Sequence, residues 1–162
     1  MKKWSIILAA AIALFLSSAG SDGHTEAAAG NHAPYFELKN DIRRVNLSAA
    51  RGKYVVINFW SAQDAQSRID NALFDRAFTT GSRSDVEYVS VCLDDDEILW
   101  KQIMIADGLH AVNQYMASES PLTDILSDYG TESGCRNFLI SPQGEVLAAG
   151  LDVPSILSRL AS

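Results

Sequence analysis

The sequence predicts an α/β fold, a partly parallel sheet covered by helices on both faces, with an antiparallel hairpin near the end of the chain. Three observations carry this. Tyr54-Val55-Val56-Ile57-Asn58-Phe59-Trp60 is a nearly unbroken β-branched and aromatic run, the pattern of a strand buried on both faces. Segments with apolar residues at helical spacing separate it from later strands. Phe138-Leu139-Ile140 and Val146-Leu147-Ala148 flank Ser141-Pro142-Gln143-Gly144, a turn with Pro second and Gly fourth.

The elements follow in order. Gly52-Lys53 turns the chain into the first strand. Ser67 to Phe78 reads as a helix, because Ile69, Leu73 and Ala77 fall four apart and Phe74 and Phe78 join them. Val86 to Leu93 is a second buried strand. Asp94-Asp95-Asp96-Glu97 then opens a helix. Asp94 with Glu97 fits a capping box, and carboxylates favour the positive end of a helix, which outweighs a metal reading of the acidic run. Leu99, Trp100, Ile103 and Met104 continue this helix to a stop by Gly108. Ser120-Pro121 starts another helix, with Leu122, Ile125, Leu126 and Tyr129 on its buried face and Gly130 at its end. After the hairpin, Val153, Ile156, Leu157 and Leu160 mark a final short helix. The alternation of strands and helices makes the sheet partly parallel, and the hairpin adds antiparallel strands.

The chain begins like an exported protein. Lys2 and Lys3 precede an apolar run from Ile6 to Leu16, and the small residues Ser17-Ser18-Ala19-Gly20 follow. This is the pattern of a secretory signal peptide over 1–20, and the run is shorter than the ~20 residues a spanning helix needs. Ser21 stands where a lipoprotein would need Cys, so no stable membrane anchor is expected after cleavage. The expected location is periplasmic or secreted, where a disulfide can persist. Residues 21–33 are small and polar and read as a flexible linker, leaving one domain over 34–162.

The 162 residues carry 13 Lys and Arg against 20 Asp and Glu, a formal charge of −7. An acidic chain is a poor nucleic-acid binder, since phosphate contacts need a basic face. Cys92 and Cys135 are the two cysteines, enough for one disulfide or two separate thiols and too few for an all-cysteine zinc site. His24 and His32 read as solvated residues near the linker, and His110 as a surface loop histidine. Trp60 and Trp100 read as core. No metal and no cofactor are expected.

These residues together resemble the thioredoxin-like fold, and more closely the secreted thiol–disulfide interchange proteins of the alkyl hydroperoxide reductase/thiol-specific antioxidant superfamily. The resemblance runs from about Pro34 to Leu160. Ala33-Pro34-Tyr35-Phe36-Glu37-Leu38 is similar to the opening motif of that family, and Val45-Asn46-Leu47-Ser48 with Arg51-Gly52-Lys53 to a following stretch. Val55 to Trp60 matches the strand that delivers its active site, and Phe138 to Gly144 its hairpin. The resemblance implies a Trp-Ala-x-x-Cys-x-x-Cys-Arg site. The stretch here is Trp60-Ser61-Ala62-Gln63-Asp64-Ala65-Gln66-Ser67-Arg68. Asp64 falls on the first cysteine, Ser67 on the second, and Arg68 keeps its place. Exchange needs an attacking thiolate and a resolving thiol, which Asp64 and Ser67 cannot supply. A carboxylate at Asp64 suits a helix N-cap instead. The peroxide-reactive cysteine of the peroxidase branch is also missing from this strand end.

The family places a cis-Pro three residues before the hairpin Phe. In Gly134-Cys135-Arg136-Asn137-Phe138, Cys135 takes that position, which the resemblance puts close to Asp64 and Ser67. Cys92, near its strand end, is either bridged to Cys135 or an inert core thiol. Two functions follow. One is a secreted thioredoxin-like binding or adaptor protein that has lost exchange chemistry and holds a polypeptide in a groove near Asp64, Gln66, Gly134, Cys135 and Arg136. The other is a thiol–disulfide oxidoreductase or antioxidant-type protein that uses Cys92 and Cys135 as catalytic residues.

Overall fold

The computed structural model describes residues 27–81, 83–119, 123–131, 134 and 136–161. The expected signal peptide over 1–20, the start of the 21–33 linker, Ser120-Pro121 and Cys135 lie outside the described residues.

The strands and helices are β1 (Glu37–Lys39), β2 (Arg44–Asn46), β3 (Tyr54–Trp60), α1 (Ala65–Thr79), β4 (Val86–Cys92), α2 (Glu97–Ala106), β5 (Gln114–Met116), α3 (Thr123–Asp128), β6 (Asn137–Ile140), β7 (Val146–Ala149) and α4 (Val153–Leu160). The main sheet has the order β5-β4-β3-β6-β7. β3 pairs parallel with β4 and antiparallel with β6, β4 pairs parallel with β5, and β6 pairs antiparallel with β7. This is the mixed α/β architecture that the sequence predicts, with β3 at its centre. The apolar run of β3 is explained by that position, because both of its faces are covered.

Alternate residues of β3 enter two cores. Val55, Ile57 and Phe59 join Phe36, Leu38, Tyr115, Ile125, Tyr129, Phe138 and Ile140 on one face. Phe59, Tyr129 and Phe138 form its aromatic centre, with Tyr129 ring centroids 5.4 Å from Phe59 and 5.1 Å from Phe138. The Tyr129 hydroxyl donates to the carbonyl of Pro34 at 2.8 Å, so its polar end is satisfied. Val56 turns to the opposite face, with Phe74 and Phe78 of α1, Tyr88, Leu139, and Ile156 and Leu160 of α4. Trp60, Ala62, Cys92, Trp100 and Met116 form a third cluster under α2. Trp60 and Trp100 are both buried core residues.

Helix boundaries follow local chemistry. Asp152 caps α4 through Ser155 N at 2.9 Å, and Pro154 sits in the first turn, where its missing N–H costs nothing. The hairpin turn closes through Gly144 N to Ser141 O at 2.9 Å, and Gly144 takes φ +89°, a conformation that favours glycine.

Four features depart from the sequence expectations. The β1–β2 ribbon and β5 are additional strands, each only three residues long and so without a readable alternation. Within the 21–33 segment expected to be flexible, residues 27–33 run along β7, with Gly30 N to Val146 O at 2.9 Å and Ala33 N to Gly144 O at 2.8 Å. The cap of α2 is Asp96, which accepts from Leu99 N at 2.9 Å, and Asp94 points elsewhere. Finally, Ile69 and Leu73 of α1 are 56% and 54% exposed, and the polar stripe Ser67, Asn71 and Asp75 is buried against the sheet.

Asn71 and Asp75 of that stripe belong to one hydrogen-bond network, joined through Gln114. Asn71 Oδ1 accepts from Asn58 Nδ2 at 3.0 Å, Tyr88 OH at 3.0 Å and Ser90 Oγ at 2.7 Å. Gln114 Nε2 and Thr79 Oγ1 donate to Asp75 Oδ1, each at 3.2 Å. His110 Nδ1 lies 2.6 Å from Asp75 Oδ2, so the loop histidine is partly exposed and also paired. Replacing Asn71 strands three buried donors at once, each with a desolvation cost. We expect Asn71→Ala to lower stability by about 2–3 kcal/mol in urea denaturation. An effect below about 0.5 kcal/mol would contradict the network, since that is the scale of an ordinary surface substitution.

Candidate functional site

The site is built where β3 ends and α1 begins. Asp64 takes extended geometry (φ −102°, ψ 115°) and its Oδ1 accepts from Ser67 N at 2.6 Å, the geometry of an N-cap. Ser67 is buried, its Oγ accepting from Ser61 N at 2.8 Å and donating to Ser61 O at 3.2 Å. Asp64 and Ser67 are therefore both engaged in closing the β3–α1 loop.

Asp94 holds the same loop from the end of β4. Its Oδ1 accepts from Ser61 Oγ at 3.1 Å and Gln63 Nε2 at 3.0 Å, and its Oδ2 from Ala62 N at 2.5 Å and Cys92 Sγ at 3.3 Å. The sequence assigned this carboxylate to the α2 cap. Asp94-x-x-Glu97 does fit a capping box, but Asp96 reaches the helix and frees Asp94 for the loop.

Cys92 is a free thiol, fully buried beneath this loop. Burial pushes its pKa up from 9.0 to about 12. It pairs in register with Trp60 on one side and Met116 on the other.

A groove of about 920 Å³ opens beside α1 and the first turn of α4. Asp64, Gln66, Ser67, Gly134 and Arg136, all singled out from the sequence, line it together. Leu73, Phe74, Leu151, Val153 and Pro154 supply its apolar wall, and Asp70 and Asp152 add carboxylates that sequence reasoning missed. The structure leaves other candidates out of the groove. Trp60 is buried beneath the loop. Arg68 turns away and makes a two-pronged contact with Asp107 at the end of α2, at 2.9 and 2.6 Å. The hydrogen bond to Asp107 raises the Arg68 pKa further. Arg68 and Asp107 border a second, smaller depression of about 410 Å³ with Ala65, Ile69 and Ala72.

Among the described residues, no group of three or more His, Cys, Asp or Glu is placed to hold a metal ion. Among them also, no helix is long and apolar enough to cross a membrane.

Comparison with known proteins bears on the fold. The AhpC/TSA family matches residues 29–149. No curated protein matches the chain. A thioredoxin-like protein from Parabacteroides distasonis superposes with a TM-score of 0.71 at 24% identity, covering 85% of this chain and 97% of its own. The thioredoxin domain of a thiol-disulfide oxidoreductase from Bacteroides vulgatus gives 0.71 at 22%, covering 83% and 96%. An exposed lipoprotein thioredoxin from Streptococcus pneumoniae gives 0.62 at 21%, covering 79% and 98%. At these identities the likeness establishes the thioredoxin fold.

The buried thiol makes a prediction about alkaline stability. The folded state holds the Cys92 proton more tightly than the unfolded chain. Its contribution is complete below the ordinary thiol pKa of 9.0 and is lost as pH rises toward about 12. Burial raises the Tyr88, Tyr115 and Tyr129 hydroxyls in the same direction. Urea denaturation at about pH 8 and about pH 11 is expected to show lower stability at the higher value, with a smaller loss in Cys92→Ala. Equal losses in the two proteins would contradict the buried-thiol assignment.

Proposed function

From the membership of this chain in the AhpC/TSA family, we propose that it is an extracytoplasmic thioredoxin-like protein that has lost exchange chemistry at the usual position and binds a polypeptide in the groove beside α1. The observation that carries this is the bonding of Asp64 and Ser67. Exchange requires a nucleophilic sulfur at the start of α1 and a second sulfur one turn on. Here a carboxylate caps the helix and a buried hydroxyl closes the loop.

The alternative, an oxidoreductase using Cys92 and Cys135, is less well supported. A thiol with its pKa pushed up to about 12 is almost wholly protonated at neutral pH and is a poor nucleophile. Its Sγ also faces the Asp94 carboxylate, which disfavours the thiolate further. The apolar run before Ser17 supports export, and the pneumococcal neighbour is itself described as exposed. Binding requires no cofactor and no metal in this reading, and nucleic acid is not the partner of so acidic a chain.

Insulin reduction with dithiothreitol as electron donor tests the proposal. The purified protein is expected to leave the rate at the uncatalysed background. Asp64→Cys combined with Ser67→Cys is expected to raise it by about tenfold or more, because both thiols then stand at the helix N-terminus, where the thiolate is favoured. Insulin reduction by the unsubstituted protein, abolished in Cys135→Ser, would establish the alternative.

A further inference from the structure

We propose that the polypeptide taken by the groove is cationic as well as apolar, a segment in which lysine or arginine residues flank a buried aliphatic or aromatic side chain. This rests on the polypeptide-binding reading and adds the chemistry of the ligand.

The apolar contribution comes from the outer face of α1. A helix on a sheet ordinarily buries its aliphatic stripe. Here Ser67, Asn71 and Asp75 share the sheet side of α1 with Phe74 and Phe78, and the aliphatic pair Ile69 and Leu73 is left more than half exposed. Leu73 is in the groove wall opposite the first turn of α4, where Val153 and Pro154 stand. Leu73 with Val153 and Pro154 gives the groove an apolar wall that a partner's aliphatic or aromatic side chain can cover. The volume of about 920 Å³ lies at the upper end of ordinary ligand pockets, which are roughly 300–1,000 Å³.

The charge contribution is the imbalance of the rim. Among the described residues, Asp64, Asp70 and Asp152 line the groove against a single cation, Arg136, and all four are exposed. Each carboxylate engages one neighbour through Oδ1. Asp64 accepts from Ser67 N, Asp70 from Gln66 Nε2 at 3.0 Å, and Asp152 from Ser155 N. The hydrogen bonds from Ser155 lower the Asp152 pKa and keep it ionised. The whole chain, at −7, adds a field of the same sign. A partner with basic residues would meet complementary charge and be drawn in faster at low salt. An acidic partner would meet three carboxylates and one guanidinium.

Fluorescence anisotropy with three labelled peptides tests this. They share a leucine-centred core and carry lysine, serine or glutamate on both sides of it. The lysine peptide is expected to bind about tenfold more tightly than the glutamate peptide, and the difference is expected to shrink as salt rises. Asp70→Asn with Asp152→Asn is expected to reduce that preference by about fivefold, since asparagine still caps α4. Leu73→Ser, at an exposed position, is expected to weaken all three. Equal binding of the three peptides, still weakened by Leu73→Ser, would overturn the cationic preference and leave the groove reading intact. Binding of none of them, or binding indifferent to Leu73→Ser in a variant with unchanged melting, would overturn both.

Discussion

The start of α1 has to be held against the ends of β3 and β4, and in this chain side-chain oxygens do the holding. Asp94 reaches across from β4 to the β3–α1 loop, Ser67 folds back onto Ser61, and Asp64 caps the helix. In a sulfur-based site, the same place must stay open to an incoming disulfide. Here the N–H groups of Ser61, Ala62 and Ser67 already bond to side-chain oxygens, and the loop forms one wall of the groove. The groove inherits its shape from that arrangement. Asp64, Gln66 and Ser67 fix one side, and Leu151 to Pro154 at the start of α4 fix the other.

The same principle runs along the rest of α1. Its contact with the sheet is half apolar, through Phe74 and Phe78, and half polar, through Ser67, Asn71 and Asp75. Buried polar groups cost free energy unless satisfied: Ser67 bonds to Ser61, and Asn71 and Asp75 are linked to Asn58, Tyr88, Ser90, Gln114 and His110. Such a seam fixes the helix in one register, because sliding it would strand several donors. It also releases Ile69 and Leu73 to the outside, and one of them lines the groove.

Much of this fold was legible in the sequence for identifiable reasons. β3 and β4 are long, apolar and bounded by turns, and the Ser141-Pro142-Gln143-Gly144 turn dictates the hairpin. The gathering of Asp64, Gln66, Ser67, Gly134 and Arg136 at one groove followed from the family resemblance. Other features were hidden because the local pattern favoured a different outcome. Asp94 matched a capping box that Asp96 satisfies instead. Asn71 and Asp75 look like exposed helix positions, since only their tertiary partners make burial tolerable. Asp70 and Asp152 reach the groove from different elements, and nothing in their local spacing links them. β1, β2 and β5 are too short for a periodic signal.

The central claim is that oxygen acceptors, and not sulfur, organise this site, with Cys92 a free thiol beneath it. Thermal unfolding with and without dithiothreitol tests it most directly. The same melting temperature is expected in both conditions, because Cys92 is a free thiol and no bridge contributes to the folded state. A disulfide between Cys92 and Cys135 would close a long loop and contribute ~4 kcal/mol. A fall of roughly 10 °C on reduction would reveal such a bridge and contradict the account.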